Sequence, residues 1–330
     1  MKNIKKIGLS ALAGSLVAFS ANAVEMGVSG TAEVTYTTNG GNVANTNTGN
    51  AWGANNSISF SGEGDVGFGT AKIVRTLNDN VSANWLSAWQ TLDMGDLGKL
   101  SLDAVGGGLE GVTAHDDILP TAYEEVWNGV SGAGVSGAGS NDTIGYSNTF
   151  AGVTLSLSRT DGGTAGSADG GNDADGSTGT ISDWHLKASV PGMEGLTVAY
   201  GESTQDFALT GEDDDVSEVG HVLYSSGPVS VGYRLAAFSD GTAGEASTET
   251  EAYALAFNVN DALAISVATQ DTVYDNTGGV ANVTEGVDAI NASYTVGAAS
   301  VRMTMSDSSN DGGASGTKDE HMEVSLLLAF

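Results

Sequence analysis

The 330-residue chain contains no cysteine, which excludes a disulfide-stapled scaffold and any thiolate metal site. Only 3 prolines stand against 48 glycines. The residue that removes ladder donors is scarce and the one that fits tight turns is abundant, a bias toward sheet over irregular linker. Basic residues are few: 11 Lys and Arg face 41 Asp and Glu, for a formal net charge of −30. So acidic a chain repels nucleic acid and favours cations. Long apolar runs are missing as well. Past residue 23 no stretch approaches the roughly 20 apolar residues that a membrane-crossing helix needs.

The N-terminus is the exception to that last statement. Lys2, Lys5 and Lys6 precede an apolar stretch over residues 7–19, followed by the small-x-small site Ala21-Asn22-Ala23. Residues 1–23 therefore read as a cleavable secretory signal peptide and residues 24–330 as one mature domain. Cleavage takes three of the basic residues with it, so the exported chain is more acidic still. The lack of cysteine suits transit through an oxidising compartment.

What is present is period-two alternation in windows of about ten residues, the length a tilted strand needs to cross a bilayer. Leu263, Ile265 and Val267 alternate with Ala264, Ser266 and Ala268; Val229, Val231, Tyr233 and Leu235 with Ser230, Gly232, Arg234 and Ala236; Val301, Met303 and Met305 with Ser300, Arg302, Thr304 and Ser306. One face is apolar and the other small or polar, the lipid-out, water-in pattern, and because only alternate residues meet lipid the mean hydropathy stays near neutral. Connections alternate too. Short ones fall at residues 62–66, 95–97, 150–152, 191–195, 226–228, 259–261 and 297–299. Long ones fall at 39–50, 77–83, 105–140, 161–180, 202–216, 239–247, 271–284 and 307–318. The expected fold is an all-β transmembrane antiparallel up-and-down β-barrel of about 16 strands, with short periplasmic turns, long extracellular loops and both termini on the short-turn side. Fourteen or eighteen strands stay open because residues 77–89 are weakly patterned. The final run places Met322, Val324, Leu326, Leu328 and the terminal Phe330 on one face, as a closing strand would.

Four stretches carry a family resemblance. Gly62, Glu63, Gly67 and Gly69 form a Gly-Glu-x-x-x-Gly-x-Gly turn between two strands; Gly95-Asp96-Leu97-Gly98 is similar to a Gly-Asp-Phe-Gly hairpin; Phe150 and Gly152 make a Phe-x-Gly turn; and the last strand ends in Phe330. Their order and the loop spacing over the whole mature chain resemble the general porins of Gram-negative bacteria, trimeric sixteen-stranded channels. The resemblance implies an outer-membrane location, a homotrimer, small hydrophilic solutes as cargo, and Phe330 as the signal read by the outer-membrane assembly machinery. It also implies that the third long loop, residues 105–140, folds into the barrel as a constriction, with Glu110, Asp116, Asp117, Glu124 and Glu125 as its acids. Where the family usually places arginines on the opposite wall, this chain has Asp103-Ala104 and residues 57–61, so the basic ladder is thin. Alternation points Lys187, Arg234 and Arg302, and also Lys72 and Lys99, into the lumen. An acidic loop facing few cations biases a pore toward cations.

Blander readings stand beside these. Residues 105–140 could form a solvated outer loop, although Leu119, Val126 and Trp127 favour packing. Arg159 and Arg75 fall on the apolar parity, where a long side chain snorkels toward the headgroups. Asp169, Asp173 and Asp175 among glycines match no calcium-loop spacing, so nonspecific divalent screening is all they suggest, and no cofactor is expected. His115, His185, His221 and His321 show no pairing in sequence, and no nucleophile-base constellation supports a barrel hydrolase. The rival classes are a substrate-specific barrel channel and a secreted or surface-layer β-rich adhesin, which would be soluble without detergent.

Overall fold

The computed structural model describes residues 25–43, 49–78, 85–105, 111–132, 134–135, 137, 143–161, 179–206, 213–241, 247–276 and 280–330. The proposed signal peptide, Glu110, and the acidic run at residues 169–175 lie outside them. Sixteen strands follow in order: β1 (Glu25–Gly41), β2 (Trp52–Asp65), β3 (Thr70–Asn78), β4 (Trp85–Asp93), β5 (Lys99–Val105), β6 (Thr143–Phe150), β7 (Val153–Thr160), β8 (Ile181–Ser189), β9 (Leu196–Gln205), β10 (Asp215–Ser226), β11 (Val229–Ser239), β12 (Ser247–Asn258), β13 (Leu263–Asp275), β14 (Val283–Val296), β15 (Ala299–Ser309) and β16 (Lys318–Ala329). Each pairs antiparallel with its sequence neighbours, and β1 pairs with β16, so the sheet closes on itself and has no free edge.

Alternation decides which face each residue occupies. Ile265, Val267, Ile290, Val301 and Met305 are exposed on the outer face, while their neighbours Ser266, Gln270, Asn291, Thr304 and Ser306 are buried on the inner one. Phe60, Phe150, Phe257, Tyr294 and Phe330 point outward near the short turns. Toward the long loops, cross-strand ring pairs form a second belt: Tyr36 with Trp52 at 5.1 Å, Trp184 with Tyr200 at 5.6 Å and Tyr233 with Tyr253 at 4.8 Å. Among the described strands, outward-facing carboxylates gather at that end, where Glu251 opposes Asp271 and Asp307 opposes both Asp288 and Glu320. The Tyr233 and Tyr253 hydroxyls both donate to Glu251, at 2.7 and 2.6 Å.

The turns are as tight as the glycine count implies. Gly227 and Gly297 take φ values of 57° and 60° in two-residue turns, a region that glycine enters without a Cβ penalty. One turn departs from its expected place. The Gly62 and Gly64 pair suggests a break at residues 62–66, yet β2 runs to Asp65 and the turn falls at Val66 to Gly69, closed by the Val66 N–H donating to the Gly69 carbonyl at 2.9 Å. At the seam, the Gly30 and Phe330 backbones exchange hydrogen bonds of 2.7 and 2.9 Å, and the Phe330 ring lies where a Cβ on Gly30 would stand.

Arg159, one residue before the end of β7, pairs with Asp161 at 2.7 Å with both side chains exposed, as a snorkelling residue would. Arg75, also on the outward parity, bends back to donate to the carbonyls of Val74 and Trp89 at 2.7 and 3.1 Å.

Candidate pore constriction

The loop between β5 and β6 enters the barrel. Its described residues, 111–132, 134–135 and 137, run along the inner wall from β8 around to β16 and β1, and two kinds of contact hold them there. The first is apolar. Leu119 and Val126 are buried against Ala252, Ala254, Ala268, Val287 and Ala289, inward-facing residues of β12 to β14, with Trp127 and Val130 packed alongside. Val112 and Val135 close on Val219 of β10. Gly232 makes room for this docking, since a Cβ there would stand 2.5 Å from Pro120 and 2.8 Å from Leu119. An inner wall of alanines is the counterpart of a loop that carries leucine and tryptophan, because apolar surface hidden from lumen water adds roughly 25 cal/mol per Å².

The second kind is polar and directional. The Val112 N–H donates to Asp183 at 3.1 Å, the Ala122 N–H to the Ser266 hydroxyl at 2.8 Å, the Glu124 N–H to Asn291 at 3.2 Å, and Ser131 donates through its N–H and hydroxyl to Asp311 at 3.0 and 3.1 Å. Loop carbonyls and amides that leave water on entering the lumen thus find partners on the wall.

Both predicted wall arginines belong to this docking. Arg234 is fully buried. One guanidinium nitrogen bonds to the Asp116 carboxylate at 2.7 Å and to its carbonyl, the other donates to Gln270 at 2.8 Å, and the group stacks 4.9 Å from the Trp127 ring. Arg302 pairs with Glu33, donates to Ser325 at 3.1 Å and lies 4.2 Å from the Tyr123 ring. The Tyr123 hydroxyl in turn donates to Glu323 at 2.6 Å. Each cation is therefore covered by an acid and an aromatic face, and neither stands bare toward the passage.

The remaining predicted cations lie elsewhere. Lys72 is on the inner register of β3, 3.7 Å from Glu63 and 5.9 Å from the Trp89 ring. Lys99 opposes Ser147 on the inner face of β5, and Lys187 is exposed on the inner register of β8. Of the predicted acids, Asp116 is held by Arg234, Asp117 is exposed, and Glu124 and Glu125 are half-buried. Burial, reinforced by Glu125 and Glu323 and opposed by the Tyr123 hydroxyl, pushes the Glu124 carboxyl up to about 7. Asp117 is raised as well, by desolvation and then by Glu125 and Asp116, against Arg234.

Three of the four histidines, which share no spacing in sequence, meet at the start of the docked loop. His115 sits in a short turn at Val112–His115, His185 on β8 and His221 on β10, all buried. The His115 and His221 Nδ1 atoms are 3.1 Å apart, and the His115 and His185 rings meet edge to face at 4.6 Å. Gly201, between them on β9, has no side chain to block the His185 ring, whose Cβ would lie 2.6 Å from a Cβ there. Among the described residues no group of three or more His, Asp or Glu is arranged to hold a metal ion.

No family model matches the sequence, and no curated protein matches it. Solved structures do match. The anion-selective porin from Comamonas acidovorans superposes with a TM-score of 0.65 at 15% identity, over 93% of this chain and 100% of that one. OmpF of Salmonella typhi, in complex with daunomycin, gives 0.66 at 13% identity over 94% and 98%. OmpT of Vibrio cholerae, in its trimer form, gives 0.64 at 11% over 93% and 100%. At such identities the likeness is one of fold, and the chain has the sixteen-stranded barrel fold of the outer-membrane porins.

Proposed function

We propose that this protein is an outer-membrane porin, a water-filled channel through which ions and small hydrophilic solutes diffuse passively, with a preference for cations. The outward apolar band between two aromatic belts suits a bilayer, and carboxylates gathered at the long-loop end suit its outer interface. Residues 1–23 would direct export, the strand ending in Phe330 would engage the assembly machinery, and a homotrimer would be the working form. The reading calls for no cofactor and no chemistry.

The preference for cations rests on one observation: Arg234 and Arg302, the wall cations beside the loop, are occupied by Asp116 and Glu33. The loop is held along β8 to β16 and β1, so the passage runs between it and β2 to β7. Asp117, Glu124 and Glu125 then set the sign of the field where it is narrowest, and a low-dielectric wall focuses that field. The Comamonas porin, anion-selective in the same fold, shows that the barrel itself does not fix the sign.

The test is the triple variant D117N/E124Q/E125Q. It should keep its conductance steps while the cation-to-anion permeability ratio falls several-fold toward unity. An unchanged ratio would move the filter away from the loop.

A further inference from the structure

The buried histidines are used neither by the barrel closure nor by the selectivity argument. We propose, resting on the channel reading above, that His115, His185 and His221 form a proton-operated latch. At neutral pH it fixes the leading arm of the constriction loop, residues 111–116, against β8 to β10; on acidification it releases that arm into the passage and lowers the conductance.

The geometry supplies the switch. With their Nδ1 atoms 3.1 Å apart, one of His115 and His221 donates and the other accepts, so the contact cannot survive with both rings cationic. His185 lies edge-on to His115 at 4.6 Å. All three rings are at most 4% exposed, and the Nε2 atoms of His115 and His221 are buried without a hydrogen-bond partner among the described residues. An added proton therefore places a charge in a buried site near Lys187 and Arg234. The groups that face it are few. β8 contributes Asp183, His185 and Lys187, and β9 only Gly201 and Ser203. β10 contributes His221 between Val219 and Leu223, β11 Arg234, and the loop its own Asp116 and Asp117. Asp183 already accepts from the Val112 N–H and Asp116 is held by Arg234, so neither is placed to take up the new charge cheaply.

Burial, then the neighbouring His185 and His221 and Lys187, hold the His115 imidazole down to about 3 from the ordinary 6.5. The sign follows from linkage. A docked value below the released value leaves docking intact above about 6.5, and the docked-to-released ratio then falls by up to about tenfold per pH unit as pH drops from there toward 3. The wall stands behind the arm, so a released arm moves toward the passage.

The experiment records single channels of the mature protein in planar bilayers from pH 7.5 to 4. The wild type should show a steep acid transition to a lower conductance level. H115Q and H221Q, which keep hydrogen bonding but cannot charge, should lose that transition or shift it by at least one pH unit, while E194Q, in the exposed turn between β8 and β9, retains it. The same transition in both histidine variants, or none in open wild-type channels, overturns the latch. Absence of any steps at pH 7.5 would instead defeat the channel reading. If the variants do not fold, an imidazole NMR titration of the detergent-folded wild type decides: a His115 midpoint well below 6 supports the latch, and one near 6.5 refutes it.

Discussion

Arg234 shows how a charged side chain can organise a pore without facing it. Its guanidinium is wholly buried between Asp116, Gln270 and Trp127, so it works as a fixed peg for the loop. Replacing it by methionine removes the partner of Asp116 and one face of the Trp127 stack. Loss of a fully buried pair costs roughly 3–5 kcal/mol; because Asp116 is partly open to the lumen, about 2 kcal/mol of loop docking is expected. R234M should show noisier conductance steps and faster protease cleavage within residues 111–132. At the same scale, the proposed filter would make selectivity depend on pH through Glu124. A carboxyl raised to about 7 is charged above that value and neutral below it, so cation preference should fall between pH 8 and 6. E124Q should flatten that part of the profile in reversal-potential measurements.

Among the elements, the strands were legible because the barrel buries only one face of each. Leu263 to Ala268 or Val301 to Ser306 cannot slip by one residue without reversing both faces, so alternation carries the register. The seven short and eight long connections appear in the expected order, but β9, β13 and β15 run on to Gln205, Asp275 and Ser309, a few residues into the expected long loops, and after β2 Gly67, with φ of 89°, takes the bend that Gly62 and Gly64 suggested. The docking of the loop was legible from its own Leu119, Val126 and Trp127. Its target carries a signal of its own in the sequence: Ala252, Ala254, Ala268 and Ala289 stand at inward positions where a water-lined wall would be polar. The histidine cluster had no such signal. His115 and His221 lie 106 residues apart and meet only once the loop has folded onto strands that are themselves long-range neighbours. A different element argument concerns the turn after β6, where Ala151 takes φ of 52° beside Gly152 at 83°. An L-residue with a Cβ pays roughly 1–2 kcal/mol in that region, so A151G should stabilise the barrel by about 1 kcal/mol in urea unfolding from detergent, the added freedom of the unfolded chain taking back part of the gain.

At the scale of the whole molecule, closure and filling are separate achievements. Closure comes from β1 pairing with β16 and from Phe330 lying over Gly30, and it removes every sheet edge. Filling comes from one loop whose apolar and hydrogen-bonding contacts hold it to one side of the barrel. On the proposed reading, the sign of the pore would be a property of a few loop side chains rather than of the barrel. The most direct measurement inserts the mature chain, folded in detergent, into a planar bilayer and reads the reversal potential across a tenfold potassium chloride gradient. Stepwise conductance with a cation-selective reversal potential is predicted; steps with anion selectivity would contradict the account of the loop, and a well-folded, detergent-independent protein that gives no steps would contradict the channel itself.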